Sequence, residues 1–186
     1  MSASSPNPFK PTSAQLLAAR DKTVPDLIRP ALRVLFCGIN PGLYSAAVGH
    51  HFARPGNRFW PALLASGFTD RLLSPFEERA ILDVGIGITN VVGRATASAD
   101  ELSPDELIDG ARALQAKVLR YKPCALAVLG VGAYRTAFGR RDAGLGRQDA
   151  TIGTTSVWVL PNPSGLNAHY QPKDLARLFG ELKRTL

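Results

Sequence analysis

The feature that most constrains the fold of this chain is a set of four short apolar runs, separated by segments of helix length. Each run is nearly continuous in apolar residues, a pattern typical of parallel strands that are covered on both faces. Strands that alternate with helices predict a three-layer α/β/α protein, with helices on both sides of a mostly parallel sheet. The four runs are Arg33–Ile39, Gly85–Asn90, Ala125–Leu129 and Ser156–Leu160.

Five segments around these runs are predicted to be helical. Ser103–Arg120 has the clearest start, because Ser103 can cap the helix, Pro104 suits its first turn and acidic residues follow. The last helix begins near Pro172 and carries apolar residues at three- and four-residue spacing. The other three are Asn57–Ser66, Pro75–Leu82 and Gly132–Phe138.

The length of 186 residues is typical of one domain. We expect residues 1–24 to be a flexible segment, rich in Ser and Pro at its start, with a short helix that Thr12 or Ser13 caps and that ends near Arg20. Residues 25–186 are expected to form the single domain. With no run of 18 apolar residues and no signal pattern, the chain is predicted to be a soluble cytoplasmic monomer without membrane contact.

The two cysteines predict neither a metal site nor a disulfide. Cys37 and Cys124 lie within apolar runs, and their spacing is not that of metal ligands. With only three histidines and no clustered ligand set, a metal-dependent hydrolase is disfavoured. We therefore expect no metal and no cofactor.

The positive charge is concentrated in the last third of the chain. Residues 1–119 carry 12 basic and 11 acidic side chains, whereas residues 120–186 carry 10 basic and 4 acidic ones. A basic face of this kind suits phosphate binding, because each neutralised phosphate releases a counterion. Charge alone leaves a merely basic protein equally open.

Two loops at strand ends are the candidates for a site, because ligands of open α/β sheets bind outside the carboxyl ends of the strands. The first reads Gly-Ile-Asn-Pro-Gly over residues 38–42, and the second reads Leu-Pro-Asn-Pro-Ser-Gly-Leu-Asn over residues 160–167. Proline fixes the backbone of such a loop and glycine admits close approach of a ligand. Either loop alone is also an ordinary turn sequence.

Taken together and in this order, the motifs resemble the mismatch-specific uracil and thymine DNA glycosylases, a branch of the uracil-DNA glycosylase superfamily. The resemblance runs from about Leu32 to the C-terminus. It implies a four-stranded parallel sheet with helices on both sides and a base pocket at the strand ends. The motifs are GINPG from Gly38, GHHFARPGNRFW from Gly49, GIGITNVVGRAT from Gly85 and LPNPSGLN from Leu160.

The resemblance also implies roles for individual residues. Asn40 matches the residue that holds the water attacking the sugar C1′, and Phe52 matches the aromatic residue that stacks on the flipped base. Ile39 matches a residue that lines the pocket with a backbone contact. Gly42 stands where strict uracil enzymes carry a bulky Tyr that excludes a 5-methyl group. Asn162 replaces the His that those enzymes point at the uracil O2.

Further residues of the same motifs are implied to contact the base or the duplex. Ser45 stands where relatives place a small polar residue near the pocket. The insertion loop is Ser164, Gly165, Leu166 and Asn167, with Leu166 as the wedge that fills the gap in the base stack. Candidates for phosphate contact are Arg58, Arg140, Arg141, His169 and Lys173, together with Arg135 and Arg147.

The chemistry of base release sets an expectation for the rate. Breaking an N-glycosidic bond develops positive charge on the sugar and negative charge on the base, which a carboxylate and hydrogen-bond donors would stabilise. Asn40 orients a water but supplies no carboxylate, so we expect a slow enzyme that acts on weakly paired bases. Asp83 is the acid most able to reach the pocket. Its position is also typical of an acidic residue that forms hydrogen bonds at a helix end or in a loop.

The sequence therefore predicts a DNA-repair enzyme, a monofunctional glycosylase that flips uracil out of mismatched duplex DNA, hydrolyses its bond to the sugar and leaves an abasic site. Guanine is the expected opposite base, and thymine or cytosine adducts are further possible substrates. In the cell it would lie at the nucleoid when bound to DNA. A binding module that has kept the fold and lost catalysis stays open as an alternative. A nucleotide-binding enzyme is disfavoured, because Arg135 stands where a GxGxxG loop after Leu129 would place its third glycine.

Overall fold

The computed structural model describes residues 10–186, and these residues are built around one five-stranded sheet. The strand order is β2-β1-β3-β5-β4, in which β2, β1, β3 and β5 are parallel and β4 runs antiparallel to β5. The prediction of a mostly parallel α/β sheet is confirmed, with five strands in place of four. The bounds are β1 Val34–Gly38, β2 Ile86–Asn90, β3 Ala125–Leu129, β4 Gly146–Ile152 and β5 Thr155–Leu160.

The strand that the sequence did not predict, β4, lies at the edge of the sheet and forms a hairpin with β5. Its side chains alternate between partly buried and exposed, and its pairing shifts register between Arg147 and Thr151. The turn at Gly153 has a φ of +58°, a conformation that glycine adopts at little cost. Because β4 is polar and half exposed, it lacks the apolar run that identifies the four inner strands.

Helices cover both faces of the sheet, which confirms the three-layer architecture. Ser103 caps the longest helix as predicted, through a capping box with Glu106. Residues Pro75–Val84 form 3-10 turns rather than the α-helix expected there. The loop after β1 contains a short helix that the sequence did not indicate. The α-helices are α1 Ser13–Leu17, α2 Leu43–Val48, α3 Phe59–Ala65, α4 Pro104–Tyr121, α5 Val131–Phe138 and α6 Pro172–Lys183.

Each inner strand is buried on both sides, so successive side chains enter two different cores. On one face, Phe36 packs against Phe59 of α3 and Phe179 of α6, with ring centroids 5.3 and 5.4 Å apart. On the other face, Leu35 and its neighbours pack against α4 and α5. This burial on both faces explains the continuous apolar runs in the sequence.

The N-terminal residues that the structure describes are packed against the sheet domain. The predicted short helix is present as α1, and Thr12 caps it. Ala19 and Val24 are buried in a small cluster with Ala46 and Ala95. The boundary expected after residue 24 therefore does not separate the described residues into two parts, while residues 1–9 of the predicted flexible segment lie outside the described range. Among residues 10–186, no helix has the length and apolar character needed to cross a membrane.

Candidate active site

A cavity of about 310 Å³ lies at the carboxyl edge of the sheet, where β1, β2 and β5 end. The two loops that the sequence singled out, residues 38–42 and 160–167, both line it, although they are far apart in the chain. No Asp or Glu is among its lining residues, and residues 10–186 hold no cluster of His, Cys, Asp and Glu that could bind a metal ion. Predicted site residues in its wall are Ile39, Asn40, Gly42, Ser45, Phe52, Asn162, Ser164 and Leu166.

The side chain of Asn40 is held in one orientation by two acceptors. Its Nδ2 donates to the carbonyl oxygen of Arg94 at 3.0 Å and to Oγ1 of Thr96 at 2.7 Å. The Thr96 hydroxyl donates its own proton to the Ser98 carbonyl at 2.7 Å, so its oxygen must accept from Asn40. Because the Arg94 carbonyl can only accept, the amide cannot be flipped. The Oδ1 of Asn40 is left as a free acceptor, with no partner among the residues that the structure describes.

Phe52 forms an aromatic wall of the cavity. Its ring stacks on Phe59 with a centroid distance of 4.2 Å and an interplanar angle of 27°. The backbone of Phe52 has a φ of +52°, which is unusual for a bulky residue and is characteristic of strained residues at functional sites. The residue after it, Ala53, donates its N–H to Oγ of Ser45 at 3.1 Å. Ser45 therefore supports the loop that carries the ring, in addition to lining the cavity.

Buried polar groups hold the same loop from behind. Glu78 is buried and accepts hydrogen bonds from the His51 backbone N–H at 2.7 Å and from Nδ1 of His50 at 2.9 Å. The Nε2 of His51 lies 2.9 Å from the carbonyl oxygen of Pro25, so it must be the donor. Burial lowers the pKa of His51 below its ordinary value of 6.5. The His51 ring is therefore neutral at pH 7 and serves to position the loop.

Two glycines shape the cavity in opposite ways. A Cβ on Gly38 would lie 2.5 Å from Oδ1 of Asn90 and 3.4 Å from the ring of Phe52, so a larger residue there would displace the cavity wall. A Cβ on Gly42 would meet nothing within 4 Å. The cavity is therefore tightly closed at Gly38 and has spare room at Gly42. Asn90, the last residue of β2, also lines the cavity wall.

Asn162 presents hydrogen-bond donors at the end of β5. Its Oδ1 accepts from the N–H of Ser164 at 3.0 Å, which is the bond of an Asx turn, and its carbonyl accepts from Nδ2 of Asn167 at 3.0 Å. The Nδ2 donors of Asn162 have no partner within residues 10–186. These donors can bind a group in the cavity that has acceptor oxygens.

The insertion loop after Asn162 is held by close backbone contacts. Leu166 is 76% exposed at the rim of the cavity. A Cβ on Gly165 would lie 2.4 Å from the carbonyl oxygen of Gly56, so only glycine fits this approach. Arg58 donates to the carbonyl oxygens of Gly165, Asn167 and Tyr170 at 3.2, 3.2 and 2.6 Å. The guanidinium of Arg58 therefore supports the insertion loop, and its contact with phosphate stays a prediction.

The remaining predicted residues lie away from the cavity. Asp83 is exposed at the end of the 3-10 turns that precede β2, and β2 is roughly 16 Å long. It is therefore at the opposite edge of the sheet from Asn40 and does not reach the pocket. Arg140, Arg141 and Arg147 line a separate hollow at the end of α5, while His169 and Lys173 are exposed near the start of α6. Their contact with phosphate, like that of Arg135, stays a prediction.

Sequence reasoning missed two residues at the site. Thr96 was noted only as the end of a motif, yet it fixes Asn40 from 56 residues away in the chain. Arg54 is exposed and lines the cavity beside Phe52. The signal for Arg54 was its place two residues after the aromatic wall, whereas nothing local in the sequence identifies the bond made by Thr96.

Fold and site together define an α/β protein with an amide-lined pocket, free of lining carboxylates, at the carboxyl edge of a mostly parallel sheet. Residues 25–183 match the family model described as the uracil DNA glycosylase superfamily. The chain belongs to this superfamily. Its fold is similar to the solution NMR structure of a protein from Methanosarcina acetivorans to which uracil DNA glycosylase activity has been ascribed. The match has a TM-score of 0.59 at 18% sequence identity and covers 88% of this chain and 98% of the other.

Proposed function

We propose that this protein is a mismatch-specific, monofunctional uracil-DNA glycosylase that releases uracil opposite guanine in duplex DNA. Membership of the superfamily supports glycosylase action on DNA. The single observation that carries the finer proposal is the locked amide of Asn40, whose free Oδ1 belongs to a cavity without a lining carboxylate. This arrangement suits an enzyme that orients water and depends on an easily extruded base.

In the proposed reaction, Oδ1 of Asn40 accepts a hydrogen bond from a water molecule and aims its oxygen at C1′ of the flipped nucleotide. The new C1′–O bond forms as the C1′–N1 bond breaks, and the electron pair of that bond leaves with the base. The Nδ2 donors of Asn162 stabilise the negative charge that develops on the base oxygen. One proton of the attacking water passes to solvent and the departing base anion takes up a proton from solvent, so the products are a free base and an abasic site. Since no amine nucleophile is involved, the strand is not cut.

Substrate selection in this proposal depends on the cavity wall and its rim. Phe52 offers one face for stacking, because Phe59 covers the other. The open space at Gly42 admits a 5-methyl group, so thymine opposite guanine is a slower second substrate. Leu166 enters the base stack as the nucleotide leaves it, and its 76% exposure makes the side chain available for this role. Uracil in a G·U pair is preferred because a mispaired base costs less to extrude.

The test is single-turnover base release from duplexes that carry G·U, A·U or G·T and from single-stranded DNA that carries uracil. We expect G·U to react fastest and Asn40→Ala to lose most of the rate without loss of DNA affinity. The matched control is Gln115→Ala, which removes an exposed amide from α4 and should leave the rate unchanged. Equal rates on A·U and single strands would refute the mismatch preference. Release of no base from any substrate would instead favour a DNA-binding protein without catalysis.

A further inference from the structure

Residues 19–25 form a short segment that follows α1, which we call the N-terminal strap. The family match begins at residue 25, so nearly all of the strap lies outside it. The strap is nevertheless packed in place, because Ala19 is fully buried and Val24 is 6% exposed, in a cluster with Ala46 and Ala95. The strap therefore adds contacts to the domain that the matched region does not contain.

The strap is bonded to the loop that holds Asn40. The backbone N–H of Asp21 donates to the carbonyl of Ala95 at 3.0 Å, and the N–H of Ala95 donates to the carbonyl of Lys22 at 2.9 Å. Ala95 stands between Arg94 and Thr96, the two residues that accept from Nδ2 of Asn40. A shift of Ala95 would therefore move both acceptors at once.

Ion pairs add to this attachment at the surface. Arg94 contacts Asp21 at 3.2 Å and Arg20 contacts Glu101 at 2.6 Å. Both pairs are substantially exposed, and such pairs contribute little to stability. The buried alanines and the paired backbone bonds are therefore what seats the strap.

The strap also reaches the loop that carries the aromatic wall. The carbonyl of Pro25 accepts from Nε2 of His51 at 2.9 Å, and His51 directly precedes Phe52. Since Phe52 has a left-handed backbone, the surrounding contacts must hold it there. One short segment thus contacts the supports of both Asn40 and Phe52.

We propose that the N-terminal strap is a positioning element for base release, which fixes the orientation of Asn40 through Ala95 and that of Phe52 through His51. The proposal rests on the proposed function for the identity of the reaction, although the geometry of Asn40 can be measured without it. The strap touches no substrate in this proposal. It acts through the two residues that do.

The test uses the full-length chain with one glutamate introduced at either of two adjacent alanines. Ala19→Glu places a charge in the buried cluster and should displace the strap, whereas Ala18→Glu changes an exposed position and is the matched control. We expect Ala19→Glu to lower the single-turnover rate constant on G·U DNA by about tenfold or more, with DNA affinity within about threefold of wild type. Ala18→Glu should match wild type. Ala19→Leu, which overpacks the same place without a charge, replaces Ala19→Glu if that variant does not fold.

A second measurement separates positioning from general loss of structure. In the Thr96→Val background, the effect of Ala19→Glu should shrink, because both changes act through the same amide of Asn40. Effects that multiply fully would overturn the proposal. So would a wild-type rate in an Ala19→Glu variant whose Ala95 backbone amide exchanges rapidly with solvent.

A third measurement needs no catalytic activity. The side-chain amide protons of Asn40, identified by their absence from the Asn40→Ala spectrum, should exchange slowly in wild type and rapidly in Ala19→Glu. Unchanged exchange at Asn40 beside fast exchange at Ala95 would refute the strap's role. If wild type releases no base while exchange at Asn40 responds as expected, the proposed function fails and the positioning role stands.

Discussion

Replacement of Thr96 by valine tests most directly whether the orientation of Asn40 matters. Valine has nearly the shape of threonine, but it offers no acceptor to Nδ2 of Asn40 and no donor to the Ser98 carbonyl. Thr96 is only 1% exposed, so water does not readily replace the lost partner. The side-chain amide of Asn40 is then held by the Arg94 carbonyl alone, and it can rotate away from the orientation that presents Oδ1.

The size of the effect follows from the hydrogen bond that is lost. A buried polar group left without its partner costs about 1–3 kcal/mol. If about 1–2 kcal/mol of this appears in the activation free energy, the single-turnover rate constant falls by roughly 5- to 30-fold. Thr96→Ser is the matched control, because it keeps the hydroxyl while removing only a methyl group, and it should stay within about threefold of wild type.

The assay is base release from G·U duplex at saturating enzyme, with binding to an uncleavable duplex and thermal unfolding measured in parallel. The reasoning predicts a slower chemical step with unchanged DNA affinity. A wild-type rate in Thr96→Val would refute it, since Asn40 would then need no second acceptor. Equal losses of rate and affinity would also count against it, because they would indicate collapse of the pocket.

Four further predictions concern substrate choice, the insertion loop and pH. Gly42→Tyr should fit the open space, abolish release of thymine from G·T and keep release of uracil, as competition between the two duplexes would reveal. Leu166→Ala should leave the free energy of unfolding within about 0.5 kcal/mol of wild type, because the side chain is 76% exposed, and should slow release from duplex but not from single strands. Arg58→Met should raise proteolytic cleavage within the insertion loop and weaken duplex binding at all salt concentrations, whereas a phosphate contact would lose its effect at high salt. Hydrogen bonding to Arg94 lowers the pKa of Glu106 from 4.5 to about 2. The stabilisation of the folded state by ionised Glu106 is therefore present above pH 4.5 and is lost as the pH falls toward 2. In Glu106→Gln the thermal midpoint should vary less with pH over this window, and an unchanged profile would show that the pair is not coupled to unfolding.

The elements that could be predicted from the sequence are those whose burial produces a recognisable pattern of apolar residues along the chain. β1, β2, β3 and β5 are nearly continuous in apolar residues because both of their faces are covered. β4 could not be found this way, since an edge strand with exposed alternate side chains resembles a polar loop. The short α2 was missed for a related reason, because six residues after a Pro-Gly turn carry too little periodicity to indicate a helix.

The same distinction applies to the site. The loops after β1 and β5 could be placed together from the rule for parallel sheets, and they do share one cavity. The support that Arg58 gives to the insertion loop was not predicted, because charge alone does not reveal whether a guanidinium faces solvent or backbone carbonyls. Thr96 escaped notice because its importance lies in a hydrogen bond across 56 residues, which no local pattern records.

The left-handed backbone at Phe52 is a strain that the contacts of its own ring help to maintain. Glycine adopts this conformation without strain, so it would relieve about 1–2 kcal/mol at that position, but it would also remove the aromatic wall. The same substitution would remove the stacking of the ring on Phe59 and its packing against the core, and this loss offsets the relief of strain. Efforts to engineer a more robust form of this protein should hold Phe52 fixed and look for stabilising changes elsewhere, such as the exposed turns of the outer helices.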